Sequence, residues 1–269
     1  MKIFMMMAAM FVAAWPAVAQ RGPERALSCN DRNNNSRSVS HCEMREQNVG
    51  FAGRLTIDGG TNGGVTVKGW DNGGVLVRAR VEAQAEDEAT ARSMVAQVNV
   101  NVSAGMVSAT GPESSNQSRG HGWSVSYEVF VPRQGDLNLK ANNGGISISD
   151  VRGNIEFQTV NGGVSLRRLA GQVEGQTQNG GLTVELAGLR WDGNKFDVRT
   201  SNGGVNVSMP ENYSAHLETA TVNGHLNVAF PMNVRGEIGQ RLSTDIGSGG
   251  PTIHVETTNG GVNIKRASM

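Results

Sequence analysis

The phrase Asn-Gly-Gly recurs along this chain, with alternating apolar residues on either side of it. Its asparagines stand at positions 62, 72, 143, 161, 179, 202 and 259, and the variant Asn223-Gly224-His225 adds a further copy. From Asn143 onward, successive copies are 18, 18, 23, 21 and 36 residues apart. Periods of about 20 to 50 residues are typical of chains that stack one small structural unit on the next. The repeat therefore constrains the fold more than any other feature.

The residues around each asparagine follow a common pattern. With the asparagine counted as zero, positions −6, −4 and −2 are mostly apolar or threonine, and positions +3 and +5 are apolar. The positions between them are mostly polar. Alternation with a period of two predicts strands with one buried face. Each copy is thus expected to form a strand, a corner and a second strand.

Two architectures satisfy this pattern. In a meander, Asn-Gly closes an antiparallel hairpin, whereas in a β-solenoid like positions stack from coil to coil. Stacked coils place identical side chains about 4.8 Å apart, which favours the solenoid because threonine and asparagine recur at fixed positions. We expect coils of 18–23 residues with hydrogen-bonded ladders that face inward. The ladder residues are Thr159, Thr177, Thr200, Thr221, Thr257, Asn143, Asn161, Asn179, Asn202, Asn223 and Asn259.

The part of the chain before the regular copies has a different character. Asn62 and Asn72 are only ten residues apart, too close for a full coil. An Ala-rich segment with an acidic start and no Gly or Pro predicts one helix over residues 82–95. We therefore expect an all-β chain in which residues 43–135 form an N-terminal β cap and residues 136–269 form the solenoid. A cap of this kind covers the open edge of the first coil.

The first residues indicate export. Residues 1–19 combine a basic start, an apolar core and the sequence Ala17-Val18-Ala19, which is typical of a cleaved secretory signal; a retained membrane anchor is the alternative. No later apolar run reaches membrane length, so no integral segment is expected after cleavage. Within residues 20–42, Cys29 and Cys42 predict one disulfide, and two free thiols are the alternative. The expected location is the periplasm or the cell surface.

Composition argues against several classes of function. The chain has 24 basic and 24 acidic residues without a block of like charge, so it lacks the basic footprint of a nucleic-acid-binding protein. Aromatic residues are 5% of the chain, too few for a base-stacking platform. A stretch near Asp31 is similar to a calcium loop, but Ser36 and Cys42 replace the required Gly and Glu. We expect no metal and no cofactor.

Candidate catalytic groups do not form an obvious cluster in the sequence. The carboxylates of the repeat region are expected to be scattered in register; they are Asp150, Glu156, Glu174, Glu185, Asp192 and Asp197. His216 and His254 fall on outward positions and are expected to be solvated. Function is more readily placed in loops that break the repeat, namely residues 111–122, the turn at Trp191-Asp192, and residues 233–250. Trp123 and Trp191 are either core anchors or binding platforms.

The run from Tyr127 to Ile148, YEVFVPRQGDLNLKANNGGISI, resembles the start of the repeat region in the bacterial putative-adhesin domain family. The likeness continues through the T-x-N-G-G-V copies to the C-terminus. It implies a β-helix-like fold and export, and it implies no catalytic residues. The leading hypothesis is a non-enzymatic, envelope-associated module that binds a cell-surface glycan or protein. The alternatives are a carbohydrate-active β-helix enzyme and a purely structural or stress-related envelope protein.

Overall fold

The computed structural model describes residues 27–29, 38–112, 121–230 and 239–267. The expected signal, residues 1–19, and the calcium-like stretch near Asp31 lie outside these residues. One helix occurs in the described part, α1 (Glu88–Gln97). The strands are β1 (Val39–Gly50), β2 (Arg54–Asp58), β3 (Val65–Trp70), β4 (Gly74–Ala85), β5 (Asn99–Val102), β6 (Met106–Thr110), β7 (Gly122–Pro132), β8 (Asp136–Ala141), β9 (Ile146–Ser149), β10 (Arg152–Asn161), β11 (Val164–Arg167), β12 (Ala170–Asn179), β13 (Leu182–Glu185), β14 (Lys195–Asn202), β15 (Val205–Met209), β16 (Ala215–Asn223), β17 (Leu226–Val228), β18 (Arg241–Ile246), β19 (Thr252–Asn259) and β20 (Val262–Arg266).

Most of these strands form two stacks that are joined coil by coil through the Asn-Gly corners. The strands before the corners are β2, β8, β10, β12, β14, β19 and β16, and we call their ten-stranded sheet the pre-corner sheet. The strands after the corners are β3, β9, β11, β13, β15, β20 and β17, in the ten-stranded post-corner sheet. Neighbouring coils pair in parallel in both sheets. Parallel pairing excludes a hairpin meander for these strands, and the architecture is β-solenoid-like.

Like positions of the repeat stack on one another. Ile155 pairs with Val173, Thr159 with Thr177 and Asn161 with Asn179, a register offset of 18 residues along the chain. The apolar positions before and after the corner are buried in one continuous core, as the alternation predicts. At position −4 of one coil, Gly175 replaces the usual apolar residue because the Phe157 ring occupies that space; a Cβ on Gly175 would lie 2.5 Å from the ring.

The coils do not stack in chain order. The last coil of the chain, β19 and β20, lies between the coil of β14 and β15 and the coil of β16 and β17. Strand β18 pairs antiparallel with β16 and forms the edge of the pre-corner sheet. The changed order of coils leaves the strand register intact. On one side of β19, Thr257 and Asn259 pair with Thr200 and Asn202. On the other side, the same two residues pair with Thr221 and Asn223.

The N-terminal region differs from the expectation in two ways. Strands β2 and β3, joined through Asn62, form a coil that stacks on β8 and β9, so the solenoid begins within the predicted cap of residues 43–135. The predicted helix over 82–95 was also wrong at its start, because Glu82 belongs to β4 and pairs with Cys42 of β1. Helix α1 begins after Asp87, whose side chain caps the Thr90 N–H. Pairing of residues 82–85 with β1 and β7 outweighs their good helix propensity, because tertiary context overrides local preference.

A disulfide and a group of strands and one helix close the N-terminal end of the stack. Cys29 and Cys42 form the predicted disulfide, which fastens residues 27–29 to strand β1. Together with α1, strands β1, β4, β5, β6 and β7 complete the first end of the stack. Within the described part of the chain, no helix has the length and apolar character needed to cross a bilayer.

Candidate binding surface

The recurrent threonines lie inside the solenoid. Thr159, Thr177, Thr200, Thr221 and Thr257 are all buried. Their hydroxyls do not bond to one another. Each donates to the carbonyl of the first corner glycine in a neighbouring coil, as from Thr177 Oγ1 to Gly162 O at 2.8 Å. The threonine column therefore binds successive corners together.

The asparagine ladder exists, but its predicted burial was wrong. The corner asparagines Asn143, Asn161, Asn179, Asn202, Asn223 and Asn259 are exposed. Each donates from Nδ2 to the Oδ1 of the next asparagine, at 2.7–3.0 Å, in the order 223, 259, 202, 179, 161, 143 and 62. The strand alternation stops one residue before the corner, so positions −1 and 0 both face solvent, as Gln178 and Asn179 illustrate.

The outer face of the pre-corner sheet carries a groove of about 580 Å³. Because the −4 side chains point inward, their backbone forms its floor. One wall is the −5 column and the other wall is the −3 column. The −5 residues are Asn138, Glu156, Glu174 and Asp197, and the −3 residues are Lys140, Gln158, Gln176 and Arg199. The groove thus presents carboxylates along one wall and amides and cations along the other.

This arrangement corrects the expectation that the carboxylates are scattered in register. Glu156 pairs directly with Glu174, and Glu174 pairs with Asp197, in adjacent coils. The other carboxylates do lie apart from the groove: Asp150 and Glu185 contact Arg168, and Asp192 contacts Arg152. All three residues occupy position −5 of the repeat, so the alignment on the asparagine already carried the signal that the expectation of scattered carboxylates missed.

Cations neutralise much of this acidic wall. Lys195 Nζ lies 2.6 Å from Glu174 Oε2, and Asp197 accepts hydrogen bonds from Arg199 and from His254 Nδ1 at 2.9 Å. Burial alone raises the pKa of Asp197, but the hydrogen bonds from His254 and Arg199 outweigh burial, so its pKa lies below the usual value. Asp197 is therefore ionised at neutral pH.

A second polar cluster lies at the edge of the same face. His216 Nδ1 is 2.7 Å from Asp245 Oδ1, and its Nε2 is 3.2 Å from Ser243 Oγ. This connectivity is that of a Ser-His-Asp triad. Glu218 Oε1, however, lies 3.5 Å from the same Nε2 and competes with Ser243. The cluster is exposed on an open sheet surface, and we assign it no nucleophilic role. In the described part of the chain, no group of three or more His, Cys, Asp or Glu side chains is arranged to hold a metal ion.

The two tryptophans singled out in the sequence have different environments. Trp191 is buried and packs edge-on against Phe196, with ring centroids 5.0 Å apart, so it is a core anchor. Trp123 is half-buried and lines a cleft between the first coil and the N-terminal region. Residues 113–120 and 233–238, within the two loops proposed for function, lie outside the described residues.

Two parallel stacks joined through Asn-Gly corners, with a helix-containing end, define a β-solenoid-like repeat domain. Residues 61–265 match the family described as Toastrack DUF4097, and the chain belongs to this family. The family resemblance inferred from the repeat motif is thereby confirmed. No curated protein matches the chain.

The chain is also similar to several solved structures at low sequence identity. A putative cell adhesion protein from Clostridium sporogenes has 13% identity and a TM-score of 0.48, over 84% of this chain and 100% of that one. A putative adhesin from Bacteroides fragilis has 14% identity and a TM-score of 0.41, over 84% and 97%. A putative lipid binding protein from Parabacteroides distasonis has 11% identity and a TM-score of 0.24, over 84% and 97%.

Proposed function

We propose that this protein is an exported, envelope-associated interaction module that binds a cell-surface glycan or protein without catalysing a reaction. The groove on the pre-corner sheet carries this proposal. It offers acceptors, donors and charges of both signs at strand spacing. The disulfide between Cys29 and Cys42 supports an oxidising location such as the periplasm or the cell surface. The secretory character of residues 1–19 supports the same location.

The polar groups of the groove suit an extended polar ligand. Parallel strands repeat about every 4.8 Å, so equivalent side chains recur along the groove at regular intervals. Gln158 and Gln176 are exposed in the −3 column, and among the described residues neither side-chain amide has a hydrogen-bond partner. A glycan or an extended peptide presents hydrogen-bonding groups at comparable intervals and would pair with these amides.

The state of the carboxylates favours binding over catalysis. Glycosidases of the common type need one carboxylic acid that stays protonated at the working pH and one that stays ionised. Here Glu174 is paired with Lys195, and the pKa of Asp197 is lowered. Asp197 therefore stays ionised and cannot donate the proton that glycosidic cleavage requires.

Retention assays on immobilised cell-wall polysaccharide, peptidoglycan and envelope protein test the proposal. We expect the wild type to be retained on at least one surface. The double variant Gln158→Ala with Gln176→Ala should lose at least about five-fold of this retention, about 1 kcal/mol, comparable to two exposed hydrogen bonds. Thr183→Ala with Asn206→Ala, on the outer face of the post-corner sheet, is the matched control. No retention on any surface, or equal retention by both double variants, would contradict the proposal and favour a purely structural protein.

A carbohydrate-active enzyme is the second candidate, favoured by the in-register column of Glu156, Glu174 and Asp197. A turnover screen on polysaccharides distinguishes it from a binding module. Release of reducing ends by the wild type, abolished in Glu156→Gln, would establish the enzyme and overturn the non-catalytic proposal.

A further inference from the structure

A cleft of about 370 Å³ lies between α1, the start of β7 and the segment that leads into the first corner. Its lining includes the apolar side chains of Met94, Pro112 and Trp123 and the polar side chains of Asp58, Asn62 and His121. An adjoining recess of about 330 Å³ shares Asn62, His121 and Trp123. Small-ligand pockets have volumes of about 300–1,000 Å³. The cleft and its recess together have the volume to hold a ligand of one or two rings.

Trp123 is held in place before any ligand arrives. Its Nε1 donates to the Pro112 carbonyl at 3.1 Å. One part of the indole lies against the backbone of Gly111, where a Cβ would come within 2.6 Å of Cε2. The polar edge of the ring is therefore satisfied, and its half-exposed surface is apolar. A rigid aromatic face of this kind binds with little loss of conformational entropy.

The asparagine ladder ends at this cleft with a donor. All six side-chain hydrogen bonds of the ladder run in the same direction, from Asn223 at the far end to Asn62. The Oδ1 of Asn62 accepts from Asn143 at 3.0 Å, and among the described residues its Nδ2 has no partner. Amides hydrogen-bonded in series polarise one another, so the Nδ2 of Asn62 is a strengthened donor that faces solvent.

Acceptor and unpaired groups complete the polar side of the cleft. Asp58 Oδ1 accepts from the Gly60 N–H at 2.8 Å, and its second oxygen has no hydrogen bond among the described residues. The Nε2 of His121 is buried without a hydrogen-bond partner, and Glu86 Oε1 lies 3.9 Å from it. An acyl chain would leave these groups desolvated and unpaired, which is costly. A ligand with one apolar face and several hydroxyls would pair with the exposed side chains of Asp58 and Asn62.

We propose that this cleft is a binding site for a neutral saccharide of one or two rings. The C–H face of the sugar stacks on Trp123, whose ring face carries the complementary negative charge density. Asn62 Nδ2 donates to a sugar oxygen, and Asp58 accepts from a hydroxyl. The site is separate from the groove of the pre-corner sheet and does not depend on a role for that groove.

Titration of the purified protein with soluble sugars, followed by tryptophan fluorescence and saturation-transfer NMR, tests the site. The probes are the methyl β-glycosides of glucose, galactose and N-acetylglucosamine, and the β-1,4-linked dimer of N-acetylglucosamine. We expect saturable binding of at least one probe. Asn62→Asp keeps the acceptor for Asn143 but removes the donor, and should weaken binding at least ten-fold. Asn223→Asp, the same change at the far end of the ladder, should alter binding less than two-fold.

Trp123→Ala should abolish binding, and Trp123→Phe should retain part of it if the fold is kept, as judged by the unfolding midpoint. Three results would overturn the proposal: no probe binds below 10 mM, which is a Kd corresponding to about −2.7 kcal/mol; Asn62→Asp and Asn223→Asp have equal effects; or decanoate binds in the cleft in place of every sugar. Soluble sugars do not report on retention by the groove, so failure here is distinguishable from failure of the surface assays.

Discussion

At the scale of single residues, the repeat separates two polar roles that look alike in the sequence. Threonine at −2 is buried and bonds to a backbone carbonyl of the neighbouring corner, as Thr177 does to Gly162. Asparagine at position 0 is exposed and bonds to other asparagine side chains. A buried group left without its partner costs more than an exposed one, because water cannot replace the lost bond. The threonine column therefore contributes more stability per residue than the asparagine column.

Thr177→Val tests this role with almost no change of shape. It leaves the Gly162 carbonyl without its side-chain donor and should lower the free energy of unfolding by about 1–3 kcal/mol. Thr219→Val is the matched control, since Thr219 is also buried but its hydroxyl has no partner; that variant should be neutral or stabilising. Urea unfolding curves of both proteins measure the difference. Equal destabilisation would mean that the threonine hydroxyls do not bind the corners together.

At the scale of the corner, the two glycines of Asn-Gly-Gly have unequal roles. A Cβ on Gly162, the first glycine of its corner, would lie 2.1 Å from the carbonyl oxygen of Gly144 in the neighbouring coil. A Cβ on Gly163, the second glycine, would lie 3.5 Å from its nearest atom. The first glycine is required because stacked corners approach closely. The variant corner obeys this rule, since Gly224 keeps the first position and His225 replaces the second glycine.

We therefore predict that Gly162→Ala is much more harmful than Gly163→Ala. The first substitution forces the backbone of two coils apart and should cost at least about 1–3 kcal/mol, the usual range for overpacking. The second places its methyl group at ordinary contact distance and should be tolerated. The thermal unfolding midpoints of the two single variants provide the measurement. A similar loss in both would show that glycine is needed for turn conformation and not for close approach.

At the scale of the whole molecule, the order of coils decides which residues are central. The coil formed by β19 and β20 comes last in the chain but lies inside the stack. The coil formed by β16 and β17 precedes it in sequence yet lies at the end of both parallel stacks. Residues 252–266 thus hold two separate parts of the solenoid together, and their insertion completes both sheets.

A pair of truncations in the post-corner sheet tests this order. Ile264 is 1% exposed in β20, whereas Leu226 is only partly buried in the edge strand β17. Ile264→Ala should cost about 2–5 kcal/mol, as cavities in a full core do, and Leu226→Ala should cost clearly less. Denaturant unfolding of both variants checks the prediction. The reverse order of effects would indicate that the coils stack in chain order.

The sequence alone determined the local features of this protein. Period-two alternation fixed which residues of each strand face the core, and recurrence of Thr and Asn at fixed positions predicted parallel stacking, because only stacked coils bring identical side chains together. The spacing of Cys29 and Cys42 predicted their disulfide. These features depend on neighbouring residues in the chain or on a strict repeat, and the amino-acid sequence shows both directly.

Only the tertiary structure decided the rest. Every coil carries the same pairing pattern, so β19 fits beside β14 and β16 with equal register, and nothing in the repeat specifies its place. The asparagines face solvent because the backbone turns at the corner, where strand alternation no longer applies. The cleft at Trp123 joins residues from α1, β7 and the segment that leads into the first corner. Such sites depend on register and packing between distant segments, which the sequence of any single segment does not contain.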